Sequence, residues 1–282
     1  MNGQLTGLAG NTARRWGGVL LALMALAAPP AASGGEVTVA VASNFIATLE
    51  RLARDFQIRS GDRLRISSGS TGRLYAQIRH GAPYDVFLAA DEKRPRLIEA
   101  SSQGVAGSRF TYAIGRLVLW SPRRRVVDER GPLPVVRSLE YIAIANPRTA
   151  PYGEAAVSVL HRLGLWSSLR AKVVRGENVA QAYQYVATGN AGAGLVSLAQ
   201  WRKGGGGGFH WLVPPTLHAP LRQQAVLLKR AQDNPAARAF MAYLESDAAR
   251  DIIKQDGYEL AAANTAGGAL EQARTLATGS GR

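Results

Sequence analysis

A run of β-branched and small residues, "EVTVAVA" over Glu36–Ala42, hands over directly to "SNFIATLERLARDFQIRSG". In the second stretch the apolar residues fall at Phe45, Ile46, Leu49, Leu52, Ala53 and Phe56. The first pattern is that of a strand buried on both faces. The second has the period of a helix with one apolar stripe, closed by Gly61. The handover recurs. "RLRIS" (Arg63–Ser67) precedes "TGRLYAQIRHG", which places Leu74, Tyr75 and Ile78 on one face, and "YDVFLAA" (Tyr84–Ala90) reads as a third strand. Parallel strands need long crossovers, usually helical, so this alternation restricts the chain to an α/β fold with a mostly parallel sheet flanked by helices.

The pattern then starts afresh. "GRLVLWS" (Gly115–Ser121) and "YIAIAN" (Tyr141–Asn146) read as strands, followed by the helix "EAAVSVLHRLG". "AKVVRG" (Ala171–Gly176) is a strand with "ENVAQAYQYVATG" as its helix, and "GAGLVSLAQ" is again strand-like. "KGGGGG" (Lys203–Gly208) reads as a flexible surface loop. "APLRQQAVLLKR" (Ala219–Arg230) is a last strand, and "PAARAFMAYLESDAARDIIKQDG" holds two helical stretches. Two rounds of one alternation predict two lobes, and 282 residues suffice to give each a core. The expected division is lobe one from 34–114 plus 216–262 and lobe two from 115–215, a hinged pair with a cleft between. The chain crosses between them near Tyr112–Arg116 and Pro214–Gln223.

The ends read differently. Arg14 and Arg15, the apolar "WGGVLLALMALAA" and the small residues of "PPAAS" have the three-part pattern of a signal peptide over 1–33. The apolar run is short for a membrane span, although an N-terminal anchor remains the alternative. Export into a periplasm is the expected consequence. Residues 263–282 are rich in alanine, glycine and threonine and read as a disordered tail.

Composition removes several chemistries. The chain has no cysteine, so disulfides, thiolate metal sites and cysteine nucleophiles are excluded. The formal charge of +14 suits an anionic partner. The arginines are scattered apart from Arg123–Arg125, and neither RNP-like motifs nor zinc-finger spacing is present, which leaves little to support a nucleic-acid partner. His80, His161, His210 and His218 lack metal-ligand spacing. GxSxG, Walker and HExxH motifs are absent, and "GNAGAG" (Gly189–Gly194) precedes a strand instead of following one.

What the chain does offer is small hydrogen-bond donors where strands hand over to helices. "SSGSTGRL" (Ser67–Leu74) packs four hydroxyls and two glycines into one such junction. Ser43-Asn44, Ser70-Thr71, Tyr152-Gly153 and Asn178-Val179 mark four junctions, two in each lobe. In an open parallel sheet ligands sit beyond the carboxyl ends of the strands. The first N–H groups of each helix there lack an internal partner and carry partial positive charge. Four such ends describe a cage for a small tetrahedral anion. Taken singly, each junction is equally what an ordinary helix N-cap looks like.

The stretches "VAVASNF", "GSTGRLYAQIRHGAPYDVFLAAD", "ANPRTAPYG", "GENVAQAY" and "LRQQAVLLKR" together resemble the periplasmic molybdate-binding proteins of ABC importers, from about Val37 to Leu260. The resemblance implies the two-lobe periplasmic binding protein fold of type II, each lobe a mostly parallel sheet with flanking helices. It implies binding of molybdate or tungstate as the oxyanion, without direct protein–metal ligands, cofactor or catalysis. A monomer delivering to the membrane permease subunits of an importer is the implied partnership. By position the family's ligands carry over to Ser43, Ser70, Tyr152 and Val179, with Asn44 and Thr71 adjacent. Some members offer a tyrosine from the late strand of lobe two, where this chain has Ser197. Tyr152 would then supply the phenol, as in one branch of the family. Asp85 and Asp91 resemble structural aspartates of the family. The competing readings are a binding protein for another oxyanion such as sulfate, and an exported serine hydrolase using Ser43 or Ser70.

Overall fold

The computed structural model describes residues 34–261, and the signal-peptide and tail expectations lie outside them. The first sheet has strand order β2-β1-β3-β12-β4, from β1 (Glu36–Ala42), β2 (Arg63–Gly69), β3 (Val86–Leu88), β4 (Phe110–Gly115) and β12 (Leu221–Leu227). β1 runs parallel to β2 and β3, while β12 is antiparallel to β3 and β4. Val37, Val39 and Val41 pack on one side of β1 with Phe45, Leu49, Leu52 and Phe56 of the helical stretch behind it. Ala40, between them, packs on the opposite side with Leu74 and Ile78. Successive strand residues point to opposite faces, and both faces here are covered, which is why, after the exposed Glu36 at its start, the run carries no polar side chain but Thr38. Each fully buried valine, leucine or phenylalanine contributes about 1.5–3 kcal/mol.

α1 (Ile46–Ser60) follows one 3-10 turn at Ser43–Phe45 and ends where Gly61 takes φ 79°. α2 (Thr71–Arg79) follows β2, and α3 (Lys93–Glu99) follows β3. The second sheet has order β11-β5-β10-β8-β9, from β5 (Leu117–Ser121), β8 (Ile142–Ala145), β9 (Val173–Gly176), β10 (Ala193–Ser197) and β11 (Phe209–Leu212). β8 is parallel to β9 and β10, and β5 is antiparallel to β10 and β11. A small ribbon, β6 (Val127–Asp128) with β7 (Gly131–Pro132), lies between β5 and β8 in the chain. α4 (Pro151–Arg162), the short α5 (Trp166–Leu169), α6 (Val179–Ala187) and α7 (Leu198–Lys203) complete this half. α8 (Pro235–Glu245) and α9 (Asp247–Gln255) return to pack on the first sheet.

Two mixed sheets with flanking helices form the two-lobe fold. The chain passes from first sheet to second through Arg116 alone, between β4 and β5, and returns between Leu212 and Leu221. The expected strand Gly115–Ser121 is present as β5 from Leu117 onward, while Gly115 ends a strand the pattern did not announce, "FTYAIG", which pairs with β12 in the first sheet. This edge strand is only partly covered, so its apolar pattern is diluted. α3, "KRPRLIE", escapes the periodicity because it carries Pro95 and two apolar residues beyond it. "GLVSLAQ" is not one strand: Ser197 closes β10 and caps α7 through the Gln200 N–H at 3.2 Å. β11, after the glycine run, is a half-exposed edge strand.

Candidate functional site

Each of the four junctions sits at the carboxyl end of a strand, and the fold brings all four together. Ala42 and Ala90, at the ends of β1 and β3, share one apolar cluster with Tyr152 and Val179 of the second half. The Gly72 N–H, in the first turn of α2, donates to the Thr149 carbonyl of the β8–α4 connection at 2.8 Å. A Cβ at residue 72 would stand 2.9 Å from that oxygen, so only glycine allows the approach. Arg73 pairs with Glu177 across the same seam, Gln200 Nε2 reaches the Ser43 carbonyl at 3.3 Å, and α6 packs on the Ser43–Phe45 turn. Cavities of about 450 Å³, lined in part by Asn44 and Gln200, and about 570 Å³, lined in part by Asp91 and Glu154, lie between the two halves. Neither is lined by Ser43, Ser70, Tyr152 or Val179, which lie in the packed zone instead.

Ser70 is the decisive residue. It occupies the N-cap of α2 and is 3% exposed, yet its hydroxyl caps nothing. Its Oγ is buried without a hydrogen-bond partner among the described residues. Asn178, Ser197, Asn234 and Ser246 behave otherwise: each accepts from the N–H groups of the helix it starts. A buried hydroxyl without a partner costs about 1–3 kcal/mol. Such a group at a helix N-terminus is placed to donate to something that arrives.

The other expected residues divide by what already engages them. The Tyr152 hydroxyl accepts from Gln223 Nε2 at 3.3 Å, which leaves its single proton free to donate. Burial pushes this phenol well above its ordinary range, partly offset by the Gln223 bond, so it keeps that proton at neutral pH. Thr71 Oγ1 accepts from the Ala90 N–H at 3.1 Å and likewise retains a proton. Asn178 Oδ1 caps Ala180 and Gln181 of α6, at 3.0 and 3.1 Å, and leaves the first N–H, that of Val179, outside the cap. Asn44 differs. Its side-chain amide donates to Gln223 Oε1 at 2.8 Å and to the Tyr258 hydroxyl at 3.2 Å, so this side chain is a brace rather than a free donor. Ser43 is 5% exposed at the start of the 3-10 turn.

Ser197 donates to Gln200 Oε1 at 2.9 Å while capping α7. Asp85 holds the Thr38 N–H at 2.7 Å and Arg230 at 3.1 Å, and Asp91 pairs with Arg94, so both aspartates are engaged in the scaffold. Among the described residues no group of three or more histidine, cysteine, aspartate or glutamate side chains converges to hold a metal ion. The side chains of His161, His210 and His218 contact Trp166, Trp201 and the Ala219 carbonyl respectively. Sequence reading missed Gln223, Tyr112 and Tyr258, which lie behind the site. The signal was present in "LRQQAVLL", where two glutamines interrupt a strand otherwise fit for the core.

Residues 37–259 match the profile of the bacterial extracellular solute-binding proteins. The chain is 48% identical over 232 residues to the molybdate-binding protein ModA of Azotobacter vinelandii, covering 82% of this chain and 92% of that protein. The chain belongs to the ModA family of bacterial extracellular solute-binding proteins. ModA of Rhodobacter capsulatus is 43% identical over 245 residues, 86% of this chain and 96% of its own. The solved Azotobacter vinelandii periplasmic molybdate-binding protein superposes with a TM-score of 0.76 at 42% identity, covering 80% of this chain and all of that one. Within the ModA family, then, this chain presents a donor set of hydroxyls and helix N–H groups at the meeting of its two sheets.

Proposed function

We propose that this chain binds molybdate, and tungstate equally, as the intact oxyanion at the meeting of the four helix ends. The observation that carries the reading is the buried, unpartnered Ser70 hydroxyl facing no cap of its own. Ser43, Ser70 and Tyr152 donate through hydroxyls, Val179 through its backbone N–H, and Thr71 from beside Ser70; Asn44 contributes through its backbone and by bracing. A tetrahedral dianion has lone pairs in every direction and no proton, so an all-donor site satisfies it. Hydrogen phosphate brings a proton that needs an acceptor, and burying that proton unpaired costs about 1–3 kcal/mol. Sulfate is fully ionised but smaller, and loses contacts in a site sized for molybdate.

Residues 34–114 with 216–262 form lobe one in this reading, and 115–215 form lobe two. The two connections at Arg116 and 213–220 act as the hinge, because among the described residues they alone join the sheets along the chain. Both lobes hold donors, Ser43, Asn44, Ser70 and Thr71 in one and Tyr152 and Val179 in the other, so binding favours closure. Residues 1–33 serve as the export signal. The monomeric protein works in the periplasm and hands the anion to the permease subunits of an ABC importer. Among the described residues no helix is long and apolar enough to cross a membrane.

The test is calorimetry at fixed neutral pH with molybdate, tungstate, sulfate and phosphate in turn. Molybdate and tungstate are expected to bind nearly equally, sulfate far more weakly, and phosphate without measurable heat at micromolar concentration. At about 1,000 times its dissociation constant, molybdate adds about 4 kcal/mol of stability, read as a rise in melting temperature. Sulfate binding as tightly as molybdate overturns the assignment in favour of a sulfate carrier.

A further inference from the structure

Behind the Tyr152 hydroxyl lies a buried chain of side chains whose proton order is determined from one end. Tyr258 has a single hydroxyl proton, and it goes to the Asn44 carbonyl at 2.7 Å. The Tyr258 oxygen therefore accepts from Asn44, at 3.2 Å, and this places the Asn44 NH2 rather than its carbonyl oxygen on that side. The second proton of the same NH2 points at Gln223 Oε1, 2.8 Å away. Tyr112, whose hydroxyl stands 3.1 Å from the Ala89 carbonyl and 3.2 Å from Gln223 Oε1, adds a further donor on that side. With its oxygen so held, Gln223 has only its NH2 to turn to Tyr152, at 3.3 Å.

We propose that Gln223 is a positioning residue for anion binding: it holds the Tyr152 oxygen as an acceptor and so directs the phenol proton toward the ligand. Tyr112, Gln223 and Tyr258 belong to the half built on the first sheet, and Tyr152 to the half built on the second, so the bond also forms only when the two meet. Gly115, the last residue before the Arg116 crossing, is the slot that admits it. A Cβ there would stand 2.2 Å from the Tyr152 hydroxyl and 2.7 Å from Gln223 Nε2. Gln223 is itself fully buried, in a strand where an apolar residue would fill the same space. A polar group so placed is retained for the bond it makes.

The inference rests on the reading that the Tyr152 hydroxyl contacts the anion, and a double-mutant cycle keeps the two apart. Molybdate affinity is measured by calorimetry for the parent, Tyr152→Phe, Gln223→Met and the double variant, with ligand-free melting recorded for each. Tyr152→Phe and Gln223→Met are each expected to weaken binding by roughly tenfold. Gln223→Met is expected to change affinity by less than about twofold once Tyr152 is phenylalanine, since the hydroxyl it positions is gone. A merely structural glutamine would weaken binding equally in both backgrounds. Unchanged affinity in Tyr152→Phe overturns the contact reading itself. Loss in Tyr152→Phe with no loss in Gln223→Met, or losses that multiply, overturns the positioning role alone. Where Gln223→Met does not fold, Gly115→Ala probes the same slot from the backbone side and is read in the same cycle with Tyr152→Phe.

Discussion

Replacing Ser70 by alanine separates a ligand donor from a helix cap, because the two roles give opposite signs. Were the hydroxyl capping α2, its loss would cost about 1 kcal/mol. For a protein of this size that lowers the melting temperature by about 2–4 °C. The structure puts the Oγ at 3% residue exposure with no partner, so alanine removes an unsatisfied buried group instead. Ligand-free stability is expected to hold or to rise, by up to about 3 kcal/mol. Molybdate binding moves the other way. A charge-assisted hydrogen bond is lost, worth about 1.5–3 kcal/mol, and affinity falls by roughly tenfold to a hundredfold. Melting without ligand and calorimetry with molybdate, on the same preparation, read both numbers. A Ser70→Ala protein that melts lower without ligand and binds molybdate like the parent refutes the reasoning and returns the hydroxyl to the status of a cap.

Two further outcomes follow from the geometry. Gly72→Ala puts a Cβ 2.9 Å from the Thr149 carbonyl and 3.0 Å from the Thr149 Cα, both backbone atoms that cannot turn aside. It is expected to weaken molybdate by more than about tenfold and to lower ligand-free stability by about 1–3 kcal/mol, as overpacking against backbone does; calorimetry showing parental affinity and melting showing parental stability would count against close packing at this seam. Burial raises the phenols of Tyr112, Tyr152 and Tyr258, with nearby tyrosines adding to the rise for Tyr112 and Tyr258. The unfolded chain then releases these protons first, so stability is level below the ordinary tyrosine pKa of about 10 and falls above it, by up to about 4 kcal/mol per pH unit for three phenols. Chemical denaturation at stepped alkaline pH checks this, and a stability that stays flat well past that point would show the three hydroxyls are not sealed.

How far the sequence reaches is visible residue by residue. Val37, Val39 and Val41 announce a strand covered on both sides, and Leu49, Leu52 and Phe56 a helix beside it, because side-chain period follows from local backbone geometry. From the repetition of that pairing the two-lobe α/β architecture was legible, and so were the junctions at Ser43, Ser70, Tyr152 and Val179. Where pattern was thin the reading missed an element, and it placed the crossing only to within a few residues, near Tyr112–Arg116. "FTYAIG" is a half-covered edge strand, and the boundary between the two sheets rests on Arg116, which no periodicity marks. Nor could the sequence say which hydroxyl is free. Ser70 and Ser197 are both N-cap serines, alike in composition and local context, yet one caps its helix and the other does not. That difference depends on where each Oγ points. It also depends on partners far along the chain, as Gln223 is from Asn44 by 179 residues and from Tyr152 by 71. Local propensity is written in neighbours a few residues apart, and so the sequence alone determined the elements and their order. Hydrogen-bond polarity across the seam is set by groups brought together only on folding, and so the tertiary structure alone decided which donors are left without a partner.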